Sequence, residues 1–189
     1  MSSLDDVFNE LLEKIRDPEA LNPAKSDPVF YFAYPPDRML DLKKRLPRWT
    51  ARIREVGFEV RRISLVDILW RSVDESGRWD AWLELEGGAD PDQINEAVRD
   101  VLRQGDSFVR KVVEAVETAP EGTVVFLTEA ELLHPYFRTR TIESRLHDRV
   151  TVPTVIFYPG RRSGQYGLHF LDFYPVDGNY RSTLLGGLS

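Results

Sequence analysis

The chain opens on a periodic apolar series. Leu4, Val7, Phe8, Leu11, Leu12 and Ile15 recur at steps of three and four, which lines one face of a helix, and Asp17-Pro18 marks its end. A polar, proline-bearing stretch over residues 17–27 leads into Val29-Phe30-Tyr31-Phe32-Ala33-Tyr34, an apolar run with the length of a buried strand, closed by Pro35-Pro36. With Asp37 as the candidate N-cap, Met39, Leu42, Leu46, Trp49, Ile53 and Val56 predict a second amphipathic helix whose opposite face is basic. Pro47 lies inside it and has no amide to donate, which predicts a kink, or a break with Pro47 opening a second segment.

Residues 58–63 alternate like a half-exposed strand, and Ser64 caps a short helix holding Leu65, Ile68 and Leu69. Residues 74–90 read as an irregular excursion from the core, within which Trp79 and Trp82 need something to pack against. Asp90-Pro91-Asp92-Gln93 carries a cap, a first-turn proline and a glutamine three places after the cap. Ile94, Val98, Val101, Gly105, Phe108, Val112 and Val116 then predict one long core helix. Residues 123–127 form a further buried-strand run, 129–136 a short helix stopped at Pro135, and 141–147 another helical stretch. Residues 153–158 are a third apolar run, stopped by Pro159-Gly160, and 168–174 supply one more strand before a Gly-rich end.

Strands separated by helical crossovers pair in parallel, because a tight hairpin cannot join parallel neighbours. The expected fold class is α/β: a largely parallel sheet of four to five strands flanked by helices, Rossmann-like without a P-loop. The short loop at 160–167 leaves the C-terminal strand free to lie antiparallel at an edge. The 189 residues suffice for one core, so a single domain is expected over 1–189, with residues 1–27 as an N-terminal helix and linker.

Composition narrows the classes. Cysteine is absent, which removes disulfides, thiolate metal sites and cysteine nucleophiles and fits a reducing compartment. The acids Asp5, Asp6, Glu10 and Glu13 stand where a secretory signal would be basic and apolar, and no apolar run approaches the roughly 18 residues of a membrane helix. A cytoplasmic protein without a membrane span is expected. The net charge of −6 argues against general nucleic-acid binding. Residues 38–62 are the local exception, with nine basic residues against three acids, which leaves −12 for the remainder.

Candidate chemistry is sparse. The first strand ends in Tyr34-Pro35-Pro36-Asp37, where proline removes donors and Asp37 repels phosphate, so neither phosphate-binding glycine turn is present. Glu129 follows an apolar strand but without the expected aspartate, and reads as a helix-start acid ahead of a hydrolytic one. His134, His147 and His169 have no compact ligand spacing, and Gly160-Arg161-Arg162-Ser163-Gly164 places its serine one position late for a nucleophile elbow. Arg138, Arg140, Arg145, Arg161 and Arg162 can gather at the ends of the last strands and suit a phosphate or carboxylate. The competing reading is salt bridging with Glu129, Glu131, Glu143 and Asp148. Arg45, Arg48 and Arg52 offer either a solvated helix face or a contact for an acidic partner, ahead of DNA.

Three stretches, Leu133-His134-Pro135-Tyr136, Pro153-Thr154-Val155-Ile156-Phe157-Tyr158-Pro159-Gly160 and Asp177-Gly178-Asn179-Tyr180-Arg181-Ser182, resemble the BrxB component of bacterial BREX phage-defence systems. The likeness runs from the Val29 strand to the C-terminus. It implies partners among a PglZ phosphatase-like protein, a large BrxC-type ATPase and a PglX-type DNA methyltransferase, with no settled catalytic set and no cofactor. Tyr158, Pro159, Gly160, Asn179, Tyr180 and Arg181 match its motifs and are candidates for an interface or for structural turns. The leading expectation is a non-enzymatic assembly or adaptor subunit. Its alternatives are a nucleotide- or phosphate-binding regulatory domain near 138–145 and a nucleic-acid-binding accessory module through 38–62, any nucleic-acid contact otherwise being indirect. A nuclease is least supported, since Asp172 and Asp177 lack a metal-binding companion pattern.

Overall fold

The periodic opening series forms α1 (Leu4–Arg16), started by a reciprocal capping box between Ser3 and Asp6, and the aromatic run forms β1 (Val29–Tyr34). In chain order there follow α2 (Met39–Glu55), β2 (Glu59–Ser64), α3 (Leu65–Asp74), α4 (Trp79–Leu85), α5 (Pro91–Arg103) and α6 (Ser107–Glu117). The C-terminal half adds β3 (Thr123–Thr128), α7 (Thr139–Leu146), β4 (Thr154–Ser163), β5 (Gly167–Phe170), β6 (Val176–Asp177) and β7 (Thr183–Gly186). The computed structural model describes residues 3–22, 27–147, 149–178 and 180–187.

Five strands run parallel in the order β2-β3-β4-β1-β7, while β5 pairs antiparallel with the far end of β4 and β6 pairs with β5. The period-two alternation of each strand divides its side chains between two cores. Phe30, Phe32, Val124, Phe126, Val155 and Phe157 face α1 and α2, whereas Tyr31, Val125, Leu127, Ile156 and Tyr158 face α3, α5, α6 and α7. Helices therefore cover both faces, the α/β arrangement the strand and helix order predicts.

Several local expectations are corrected. Asp37 is not the N-cap: residues 36–38 form a 3-10 turn, and α2 starts at Met39 without a side-chain cap. Pro47 neither breaks α2 nor opens a second segment, because Leu42, Leu46, Trp49 and Ile53 are buried on both sides of it, outweighing a local cost of about 3 kcal/mol. The long helix over 91–117 is two helices, with Gly105 and Asp106 left-handed between them (φ 59° and 52°). One straight helix of that length would run about 40 Å, twice the roughly 20 Å of a six-residue strand. The irregular stretch at 74–90 contains α4, and the helix expected over 129–136 is a 3-10 turn at Ala130–Leu133.

Pro159-Gly160 does not stop β4. The strand leaves the parallel sheet there, and the Pro159 carbonyl accepts from the Leu171 amide at 2.8 Å. The strand expected over 168–174 ends at Phe170, and the Gly-rich end contains β7, a parallel neighbour of β1. The sheet has seven strands, five of them parallel; the strand expected to lie antiparallel at an edge after the 160–167 loop does so as β5, with β6 beside it, and β7 adds a parallel strand at the other edge.

Candidate functional site

Ligands in open α/β sheets sit beyond the carboxyl ends of the strands. Here those ends are tied to one another. The Tyr34 hydroxyl donates to Glu131 Oε2 at 3.2 Å, and Lys43 Nζ lies 2.8 Å from the other Glu131 oxygen. Glu129, left-handed at φ 68°, accepts from the Ser64 hydroxyl and stands 3.5 Å from Arg62 and 3.9 Å from Lys43. Burial, then the neighbouring Glu131 charge, pushes the Tyr34 phenol up. The acid after β3 thus joins an ion-pair network across three strand ends, and the start of α3 beside it is capped by Ser64, whose hydroxyl oxygen accepts from the Asp67 amide.

Arg38, Lys43, Arg45, Arg48, Arg54 and Arg62 of the basic segment each meet an acid of the chain itself. Arg45 and Arg48 both pair with Asp5 of α1, Arg45 also meets Asp41 at 3.0 Å, and the Arg52 guanidinium lies 5.1 Å over the Phe8 ring. Trp49 Nε1 donates to the same Asp5 carboxylate at 2.9 Å. The Arg48 and Trp49 hydrogen bonds hold Asp5 at about 2, below its ordinary 3.8. The acid that Arg45 and Arg48 meet is the chain's own, and it docks α1 onto α2.

The C-terminal arginines do not form one cluster, because Arg140, Arg145, Arg161 and Arg162 each find a separate local partner. Arg140 pairs with Asp177 and Arg145 with Asp106, both at 2.5 Å, and Arg161 with Asp172 at 2.9 Å. Arg162 is held by β7, its amide donating to the Gly187 carbonyl and its guanidinium to that of Leu184. These acids are not Glu129, Glu131 or Glu143, and Asp148 lies outside the described residues. Glu143 instead accepts from the Arg181 and Ser182 amides at 3.1 and 2.9 Å and from the Ser182 hydroxyl at 2.5 Å. Tyr158 and Tyr180 are buried against Tyr31, with Tyr31–Tyr180 centroids 5.0 Å apart, and burial pushes both phenols up. Pro159 and Gly160 form the strand bend, while Asn179 lies outside the described residues.

Arg138 stands apart. Its guanidinium stacks 3.3 Å over the Tyr174 ring and has no carboxylate partner among the described residues. With Arg99 and Arg103 it lines a cavity of about 330 Å³, where Glu96 is the acid that both of the latter meet. On the other side of Tyr136 lies a larger groove of about 590 Å³, built by α3, α4, α5 and the 86–89 turn. Trp79 stacks on Trp70 at 6.2 Å and meets Trp82 edge-on at 5.7 Å, and Tyr136 closes the set against Trp70. Leu83 and Leu85 of α4 are 60% and 65% exposed at its rim. The sequence signal for this groove was the pair of tryptophans at 79 and 82 followed by Leu83, a helical spacing whose apolar side the fold leaves outward. Among the described residues no group of three His, Asp or Glu is placed to hold a metal ion, and no helix is long and apolar enough to cross a membrane.

These features define a three-layer α/β protein with a doubly covered parallel sheet, self-occupied strand ends and an outward aromatic groove. The family profile described as BREX protein BrxB matches residues 61–185, and the chain belongs to the BrxB family. The BREX protein BrxB of Bacillus cereus (strain H3081.97) is 25% identical over 172 residues, spanning 87% of this chain and 88% of that protein. No solved structure matches significantly. Membership implies a role in BREX phage defence. The profile takes in the groove and the arginine cavity but starts after Arg45, Arg48 and Arg52, so it is narrower than the likeness read from Val29 onward.

Proposed function

We propose that the protein is a non-catalytic assembly subunit of a BREX-type phage-defence complex in the cytoplasm, acting through protein contacts. The observation that carries this reading is the groove lined by Trp70, Trp79, Trp82 and Tyr136 with Leu83 and Leu85 exposed at its rim. Aromatic and aliphatic side chains gathered in an open depression are the composition of interface centres, where desolvation of a few large residues supplies most of the binding energy. The PglZ-type, BrxC-type and PglX-type proteins of such a system are the candidate partners. The test is co-purification of the tagged chain with its system's proteins, together with phage plating. Leu83→Glu with Leu85→Glu should abolish both co-purification and protection while leaving the fold intact. Unchanged association, or turnover of a substrate by the purified chain alone, would overturn the reading.

A second reading, a nucleotide- or phosphate-binding regulatory role, is favoured by one observation: three guanidinium groups share the cavity beside Tyr174, and that of Arg138 lacks a carboxylate partner among the described residues. Planar guanidinium donors suit phosphate, and the neighbouring rings suit a base. Calorimetry with inorganic phosphate and nucleoside monophosphates tests it, and absence of heat together with an unmoved melting temperature rejects it.

A further inference from the structure

We propose that the groove between α4 and α5 receives an amphipathic helix of another polypeptide, with an aliphatic stripe seated among the tryptophans and Lys or Arg on its flanks. This rests on the assembly reading and names the chemistry of the partner. Residues 79–98 contain six acids (Asp80, Glu84, Glu86, Asp90, Asp92 and Glu96) and no Lys or Arg. Asp80, Glu84, Glu86 and Asp92 make no ion pair among the described residues, whereas acids elsewhere, such as Asp5, Asp41, Asp106, Glu117 and Asp172, each meet an arginine. Glu84 and Glu86 line the groove itself. An apolar floor with an unneutralised acidic rim complements a segment that is apolar on one side and basic at its edges, and such rims raise the rate of encounter with a cation-rich partner.

The shape of the occupant follows from the backbone around it. The groove is walled by helices and a turn, with no strand edge whose amides could pair with an extended peptide. A helix satisfies its own amides and carbonyls and brings only side chains to the contact, at the spacing of the i, i+3, i+4 and i+7 anchors. A second copy of this chain fits poorly, since a two-fold contact sets one acidic rim against the same rim. Arg45 and Arg48 of α2 are not available to that rim either, because Asp5 and Asp41 already hold them.

The experiment uses the tagged full chain co-expressed with the other proteins encoded by its defence system, in wild-type, Leu83→Glu/Leu85→Glu and Glu84→Lys/Glu86→Lys forms. All four positions are exposed, so circular dichroism should be unchanged; Leu83→Ser with Leu85→Ser repeats the test should the glutamates disturb folding. Wild-type association should weaken as salt rises, both double variants should lose about tenfold or more in affinity, and cross-linking should map a Lys- or Arg-flanked helix to the groove. Loss in the leucine variant with full retention in the charge-reversed one overturns the basic partner and leaves the assembly reading standing. Retention in both overturns the two together. A dimer of the chain alone that the leucine variant dissolves assigns the groove to a second copy and overturns the inference.

Discussion

A Cβ atom at Gly160 would stand 1.9 Å from the carbonyl oxygen of His169, well inside any permitted contact. The two residues lie where β4 departs from the parallel sheet and β5 folds back along it, so the close approach of two backbones requires glycine at this point. Gly160→Ala should therefore destabilise the protein by about 3 kcal/mol or more, since the obstructing atom is backbone and cannot rotate away. Urea unfolding checks the loss. Amide exchange should show it concentrated in β5 and β6, and a melting temperature within about one degree of wild type would refute the packing argument.

The Asp5 carboxylate holds three donors of α2 at once, those of Arg45, Arg48 and the buried Trp49 indole. Asp5→Ala leaves the indole without an acceptor and two guanidinium groups unpaired. The expected cost is about 1 to 2 kcal/mol, discounted because the carboxylate is partly exposed. The pH dependence has a definite sign. The folded-state value of about 2 lies below the ordinary 3.8, so the contribution is complete above 3.8 and is lost as pH falls through 2. Acid unfolding followed by tryptophan fluorescence should have a shallower slope between those limits in Asp5→Asn.

Much of the architecture could be read from short-range pattern. β1 and β3 are continuous apolar runs bounded by proline and glycine, and α1 has its stripe, cap and stop in sixteen residues. What escaped depends on distant partners. The tie from Asp5 to Arg48 spans 43 positions, so the basic helix face looked available to an acidic partner from outside. β7 is four residues long and is a strand because β1 lies beside it, with Phe30 paired to Thr183 and Ala33 to Gly186. The arginines near the C-terminus were legible as a population, but their acids, Asp106, Asp172 and Asp177, are set by where α6, the Leu171 turn and β6 come to rest. The groove was half legible: two tryptophans demanded a packing site, and the fold gave them one another.

His134 sits in a positive field. Burial first, then the charges of Arg138 and Arg99, hold its imidazole below the ordinary 6.5, and its Nδ1 lies 2.5 Å from the Tyr174 hydroxyl. The neutral ring can accept that hydroxyl proton at Nδ1, whereas the charged ring cannot. Because the folded value is depressed, the neutral form's contribution is present above 6.5 and is lost as pH falls through the lower folded value. Proton NMR titration should give a His134 midpoint below 6.5. Arg138→Gln should raise it part of the way back, since burial remains, and a midpoint that stays still or falls would remove Arg138 as a cause.

Glu143 joins α7 to the start of β7. Its side chain is buried, and one oxygen accepts the amides of Arg181 and Ser182 and the Ser182 hydroxyl, so a single carboxylate orders the turn that delivers the last strand to the sheet edge. A carboxylate with three donors is a strong acceptor, and removing it strands two amides in a half-buried turn. Glu143→Ala should cost about 3 kcal/mol, while Glu143→Gln, which keeps an acceptor oxygen of the same reach but not its charge, should cost about half as much. The local signature separates this from general weakening: exchange protection should fall first at the β7 amides that bond to β1 and only later in β4 at the centre of the sheet. Uniform loss across all strands would mean that the carboxylate supports the core as a whole and is not the clamp on the final strand.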